Sequence, residues 1–132
     1  MSGNLPLKWL DKAADDLAVA RLVQEEAYYA HVCFLSQQCI EKALKGYILA
    51  HTQSYPRIHK LTDLLYECVK IDPGFSQFQA NCIAIDQYYI PTRYPDSVPG
   101  GKPDGLPGHA EANEAILSAA DILEFVKNRL SP

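Results

Sequence analysis

Apolar residues recur every three or four positions along most of the chain, which is the spacing of one buried face of an α-helix. The pattern predicts five helices: residues 7–27, residues 29–50, a short one opening at His59, a fourth opening at Asp72-Pro73, and residues 109–130. Aspartate caps a first turn and proline fits its first position, so Asp72-Pro73 is a typical helix start. No stretch alternates long enough with period two to predict a strand, and the predicted fold is all-α.

Residues 91–108 interrupt the helical pattern with five prolines and four glycines. Neither a helix nor a strand propagates through such a segment, so the fourth helix is expected to end before Pro91. A connection of this length is usually functional or mobile. The 132 residues suffice for one domain. Four long helices and a short one predict an antiparallel up-and-down four-helix bundle with an additional short helix and a long Pro/Gly loop.

The second predicted helix is apolar over roughly half of its circumference. Ser36, Ala43 and Gly46 lie at the centre of this arc, and side chains this small let another helix approach closely. We therefore expect this helix to be the central packing element. Because one neighbour cannot cover so wide an arc, we hypothesise a homodimer through the first two helices.

Composition and charge narrow the class of protein. A net charge of −4 argues against a broadly basic nucleic-acid binder, although it leaves room for a local basic site. No apolar run reaches membrane-spanning length and no signal-peptide layout is present, so we expect a cytoplasmic protein with no membrane contact. The four cysteines lie on apolar helix faces and none forms a CxxC pair. They are interpreted as buried reduced thiols, and no metal or cofactor is expected.

A polar stripe runs along the second helix, formed by Gln37, Gln38, Glu41, Lys42 and Lys45. The simplest interpretation is a solvated face carrying a Glu41–Lys45 ion pair, which is four residues apart in the favourable order. The other interpretation is a row of ligand-binding groups.

Two further clusters favour ligand binding. The first is the cationic segment Arg57-Ile58-His59-Lys60 at the predicted start of the third helix, where backbone N–H groups and the helix dipole attract anions. The second contains Arg93, suited to a phosphate or carboxylate, and Tyr94, suited to stacking on a base. The alternatives are a capped loop for the first cluster, and for the second an Arg93 that pairs with Asp96 or Glu41 and fixes the loop.

These clusters resemble three motifs of the HEPN domain family. Residues 38–45, preceded by Gln37 and Phe34, resemble its QQ-x-x-EK-x-LK segment. His59-Lys60-Leu61 with Leu64-Leu65 resembles its H-x-L-x-x-LL helix start, and residues 89–96 resemble its Y-x-x-x-RYP-D element. The first helix, with Trp9 and Asp15-x-Leu17, and the alanine-rich last helix fit as well, so the resemblance covers essentially the whole chain.

The resemblance implies a dimerising all-α bundle with a nucleotide or RNA as ligand, paired with a small nucleotidyltransferase-like protein in a toxin–antitoxin-type module. Many HEPN proteins are metal-independent ribonucleases that use an arginine, four to six residues, then a histidine. That motif is absent here, because one residue separates Arg57 from His59 and fifteen separate Arg93 from His109. The catalytic residues of those enzymes are therefore not carried over.

The leading hypothesis is a nucleotide-binding HEPN protein. Its lysines, arginines and histidine would contact the phosphates of the nucleotide. The glutamine and glutamate would form hydrogen bonds with polar edges of the ligand, and the tyrosine would stack on a base. The residues assigned to this site are Gln38, Glu41, Lys42, Lys45, Arg57, His59, Arg93, Tyr94 and Asp96. One alternative is a divergent ribonuclease toxin built from Arg93 and His59. The other is a non-catalytic protein-interaction module that uses the Pro/Gly loop, residues 97–107, and the dimer surface.

Overall fold

The computed structural model describes residues 5–54, 57–93 and 107–131, and the side chains of residues 88–93 lie outside this description. The described chain forms α1 (Leu5–Glu25), α2 (Tyr29–Thr52), α3 (Leu61–Ile71), a 3₁₀-helix (Pro73–Phe78), α4 (Gln79–Arg93) and α5 (His109–Leu130). These residues contain no strand. The all-α fold and its four long helices and one short helix are confirmed.

Helix α2 is the centre of the bundle, as its wide apolar arc predicts. It packs against α1, α3, α4 and α5, and residues such as Cys39, Ile40 and Leu44 are completely buried. The chain's own helices therefore cover the arc that suggested a second copy. A homodimer remains a prediction, but the surplus apolar face of α2 no longer argues for it.

The close approach predicted at small residues occurs at Gly46. A Cβ atom at this position would lie 3.2 Å from the backbone oxygen of Pro6 and 3.2 Å from the Cβ of Trp9. The first turns of α1 therefore rest directly on the α2 backbone. An ion pair between Lys42 Nζ and Asp16 Oδ2, 2.6 Å apart, joins the same two helices farther along.

Helix α1 ends two residues earlier than the pattern predicts, because Ala27 adopts a left-handed conformation with φ of 64°. The N–H of Tyr28 donates to Val23 O at 3.2 Å, and the N–H of Ala27 donates to Gln24 O at 3.0 Å. This pair of hydrogen bonds is the Schellman motif, in which the left-handed position usually holds glycine. The Cβ of an alanine makes that conformation costly.

Ala27→Gly is therefore expected to raise the free energy of unfolding by about 0.5–1 kcal/mol, measured by urea denaturation. Ala18→Gly is the matched control, since Ala18 is exposed in the interior of α1. The same substitution there should lower the free energy of unfolding by about 1 kcal/mol. Two changes of the same sign would contradict this account of the α1 terminus.

Three other boundaries differ from the predicted ones. Helix α3 begins at Leu61 rather than at His59, because Lys60 is extended with ψ of 126°. The predicted fourth helix opens as a 3₁₀-helix, and the predicted cap is present, since Asp72 Oδ1 accepts from Gly74 N at 2.9 Å. Helix α4 continues to Arg93, past the predicted end at Pro91. Proline has no backbone N–H, so the last turn of α4 lacks the hydrogen bond that another residue at position 91 would donate.

The four cysteines are free and buried, as predicted. Burial raises the pKa of Cys33, Cys39 and Cys82 to about 12 and raises the pKa of Cys68 as well. Thiols with such a high pKa hold their protons at neutral pH and are poor nucleophiles. None of the described helices has the length and apolarity needed to cross a membrane.

Candidate functional site

The polar stripe on α2 is largely buried, which overturns its interpretation as a solvated face. Gln37, Glu41 and Lys45 are 1%, 8% and 5% exposed. Residues 57–60 lie against this stripe, and the His59 backbone oxygen accepts from Gln37 Nε2 at 3.4 Å. Charged side chains are rarely buried unless they are paired, so Glu41 and Lys45 are expected to have partners inside the cluster.

Glu41 is the hub of the buried cluster. Its Oε2 accepts from Lys45 Nζ at 2.8 Å and lies 3.0 Å from His59 Nδ1, and its Oε1 accepts from Gln37 Nε2 at 3.0 Å. The predicted Glu41–Lys45 pair is confirmed. Burial alone would raise the pKa of Glu41, but the hydrogen bonds from Lys45, His59 and Gln37 outweigh it and hold the pKa below its ordinary value. Glu41 is therefore a carboxylate at neutral pH.

The carboxylate fixes the orientation of His59. An ionised carboxylate only accepts hydrogen bonds, so His59 Nδ1 must carry the proton that it donates to Glu41. In the neutral ring the lone pair then lies on Nε2. The His59 side chain is 71% exposed, whereas that of Glu41 is 11% exposed. The arrangement presents an imidazole of defined tautomer at the surface.

The N-terminus of α3 was expected to attract an external anion, but it holds one of the chain's own carboxylates. Asp86 of α4 accepts from Leu61 N at 2.9 Å and from Thr62 N at 3.1 Å. These two backbone donors are thus occupied. The role of Asp86 is not predictable from the sequence, because a single aspartate on α4 gives no signal of a partner 25 residues away.

The cations of the 57–60 segment remain at the surface. Arg57, His59 and Lys60 are exposed, while Ile58 between them packs against the hydrophobic core. Ile58 holds the middle of the 57–60 segment against the core. The hydrogen bonds from Leu61 N and Thr62 N to Asp86 hold the chain directly after its end. The result is a short basic ridge, residues 57–60, with a fixed backbone.

Lys42 and Gln38 stand apart from this cluster. Lys42 turns toward α1 and pairs with Asp16, so it does not join Glu41 and His59. Gln38 is half-buried and donates to Gln37 Oε1 at 2.7 Å. The structure thus brings Glu41, Lys45 and His59 together and turns Lys42 toward α1.

Three residues of the buried cluster, Gln37, Glu41 and Lys45, belong to the segment of α2 that resembles the QQ-x-x-EK-x-LK motif. The family model described as "HEPN domain" matches residues 7–129. The chain belongs to the HEPN domain family.

Solved structures resemble this HEPN chain over nearly its full length. The crystal structure of TT1696 from Thermus thermophilus is 36% identical with a TM-score of 0.81, and the match covers 96% of this chain and 99% of that chain. ST0689, an archaeal HEPN homologue, is 34% identical with a TM-score of 0.74, covering 96% and 98%. The curated "Putative toxin MJ1304" of Methanocaldococcus jannaschii is 26% identical over 132 residues, 92% of this chain and 86% of the relative.

The remaining residues assigned from the HEPN motifs cannot be placed in the cluster. Arg93 is the last residue of α4, and its side chain lies outside the described residues, as do Tyr94 and Asp96. Most of the Pro/Gly loop also lies outside them. Among the described residues, no group of three His, Cys, Asp or Glu side chains is arranged to hold a metal ion.

Proposed function

We propose that this HEPN protein binds the phosphate of a nucleotide or of RNA on the basic ridge, residues 57–60. The observation that carries the proposal is His59, held by the buried Glu41 and exposed between Arg57 and Lys60. Guanidinium, imidazole and ammonium groups are the usual partners of phosphate oxygens. One group of each kind lies within these four residues, so the ridge is locally basic in a chain whose net charge is −4.

The geometry favours an anion on this ridge for two reasons. Lys45 lies 2.8 Å from Glu41, so the buried carboxylate next to the ridge is largely neutralised and repels a phosphate little. The ridge is also anchored by Ile58 and by the hydrogen bond from Gln37 to the His59 backbone. A ligand therefore orders few groups when it binds, which reduces the entropic cost.

The biological setting proposed is a toxin–antitoxin-type module. The name of the Methanocaldococcus relative supports it, and the family resemblance adds a small nucleotidyltransferase-like partner and a homodimer. A cytoplasmic location is part of the same proposal. Gln38, Lys42, Arg93, Tyr94 and Asp96 keep their proposed roles as further ligand contacts. Glu41 and Lys45, which are buried, are assigned to positioning His59 rather than to direct phosphate contact.

A thermal-shift titration with AMP, ADP, ATP and GTP, with and without Mg²⁺, tests the site. A ligand at about 100 times its Kd should raise the Tm by roughly 5–10 °C. Arg57→Ala and His59→Ala should remove most of this shift. Lys70→Ala is the control, because Lys70 is an exposed lysine at the opposite end of α3. No shift with any nucleotide, or equal shifts in all variants, would refute the site.

A second candidate function is RNA cleavage, which the Glu41–His59 pair specifically favours. His59 Nε2 would take the proton of a 2′-hydroxyl while the 2′-oxygen attacks the adjacent phosphorus. The bond to the 5′-oxygen then breaks, water protonates that oxygen, and a cyclic phosphate remains. A positioned general base typically contributes a factor of about 10²–10⁴.

This candidate requires cleavage of single-stranded RNA by the purified protein. Glu41→Gln should lower the rate and shift its pH profile, because the amide orients His59 without a negative charge. His59→Ala should lower the rate by about 10²-fold or more. Cleavage that persists in both variants would point to a contaminating nuclease.

A further inference from the structure

A basic pocket lies between α1 and α2, beside the basic ridge. Its volume is about 300 Å³, and it is lined by Leu5, Lys8, Trp9, Lys12 and Lys42. Four of these residues follow one another on α1 at spacings of three, one and three, which places them on one helix face. The pocket thus combines an indole with three lysines, and proteins that bind single-stranded nucleic acid combine aromatic and basic side chains in this way.

Trp9 is held in place by the α1–α2 contact. Its Cβ lies against Gly46, where any larger residue would push the two helices apart. Trp9 is half-buried. Its Cβ is held against α2, and part of its side chain lines the pocket. An indole positioned in this way offers a stacking surface at little entropic cost.

The charge in the pocket comes from α1. Lys42 is paired with Asp16, whereas Lys8 and Lys12 are exposed and form no ion pair within the described parts of the chain. Asp11 and Asp15 lie on the same helix, but more than a quarter of the way round it from Trp9. Two exposed lysines therefore border the indole.

The pocket and the basic ridge are close neighbours. Lys42 follows Glu41 directly in the sequence, and Glu41 contacts His59 of the ridge. Consecutive side chains of an α-helix project about 100° apart, so the two sites lie on neighbouring faces of α2. Gln38, which is half-buried, lies between Glu41 and Lys42 on the surface of α2.

We propose that this pocket receives one base of a single-stranded RNA. The base stacks on Trp9, its flanking phosphates lie against Lys8 and Lys12, and the strand crosses α2 to reach Arg57 and His59. The inference rests on the proposed function and makes it more specific, because the preferred ligand becomes an RNA strand rather than a free mononucleotide.

Trp9 is the only tryptophan of the chain, so its fluorescence reports on this pocket directly. Titration with hexauridylate should quench it, since a stacked base quenches an indole, whereas UMP at the same phosphate concentration should quench it far less. Binding of labelled hexauridylate is measured in parallel by fluorescence anisotropy. Trp9→Leu should weaken that binding roughly 5- to 100-fold, while Trp9→Phe keeps a stacking ring and should retain most of it.

The lysines are tested with a matched pair of double variants. Lys8→Ala/Lys12→Ala should weaken hexauridylate binding at least tenfold and flatten its salt dependence. Lys70→Ala/Lys127→Ala removes the same two charges from exposed positions on α3 and α5 and should change the Kd less than threefold. Circular dichroism and the Tm of each variant show whether it is folded.

The outcomes separate the pocket from the ridge. Hexauridylate binding that needs Arg57 but neither Lys8 nor Lys12, without quenching of Trp9, overturns the pocket and leaves the proposed function standing. Binding that needs the two lysines and Trp9 but is unchanged by Arg57→Ala supports the pocket and refutes the ridge. Absence of hexauridylate binding overturns the pocket, and the mononucleotide titration then decides the ridge separately.

Discussion

Glu41→Ala is expected to lower the free energy of unfolding by about 3–5 kcal/mol, the usual effect of breaking a buried ion pair. The substitution removes the acceptor of Lys45 Nζ, His59 Nδ1 and Gln37 Nε2 at once. It also deprives the 5%-exposed Lys45 of the carboxylate 2.8 Å away. Urea denaturation at pH 7 measures the change.

Two further variants show that the loss comes from the pair. Glu41→Gln keeps the shape and an acceptor oxygen, and we expect a smaller loss than for alanine. Glu41→Ala/Lys45→Ala should be more stable than the sum of the two single changes predicts, because neighbouring partners are not additive. A loss below about 1 kcal/mol for Glu41→Ala, or strict additivity, would show that the pair contributes little.

The same carboxylate gives the stability a defined pH dependence. The pKa of Glu41 is lowered from its ordinary value of 4.5, so the folded chain binds this proton less readily than the unfolded chain. Its contribution is therefore fully present above pH 4.5 and is lost as the pH falls through the lower folded pKa. The wild type should lose stability more steeply than Glu41→Gln over that range, and equal slopes would contradict the assignment.

Phe75→Ala is expected to cost about 3–5 kcal/mol of stability, as large cavities in a core do. Phe75 is fully buried, and its ring centroid lies 4.6 Å from that of Tyr47 and 4.8 Å from that of Phe125. One residue of the 3₁₀-helix thus joins this segment to α2 and α5. Thermal and urea denaturation give the measurement.

The controls for Phe75 separate cavity formation from a general effect of losing a ring. Phe75→Leu fills most of the space and should cost less than about 2 kcal/mol. Tyr66→Ala removes an aromatic ring that is exposed on α3, and it should change stability by less than about 0.5 kcal/mol. A small effect of Phe75→Ala would mean that the 3₁₀-helix is not anchored through this ring.

Features that depend on neighbouring residues could be predicted from the sequence. The bounds of α5 and the start of α2 follow from apolar spacing, and the cap at Asp72 follows from the Asp-Pro pair. The close helix approach at Gly46 follows from a small side chain on an apolar face. Periodicity and capping act over three or four residues, so they can be recognised in a linear pattern.

Which polar residues form the site depends on how the helices pack. A stripe of glutamine, glutamate and lysine has the same pattern whether water or residues 57–60 cover it, and only packing buries Glu41 and Lys45. Packing likewise turns Lys42 toward Asp16, 26 residues away, and places the Asp86 carboxylate on the first turn of α3. These contacts join residues that are distant in the chain, and hydrogen bonds between such residues leave no periodic signal in the sequence.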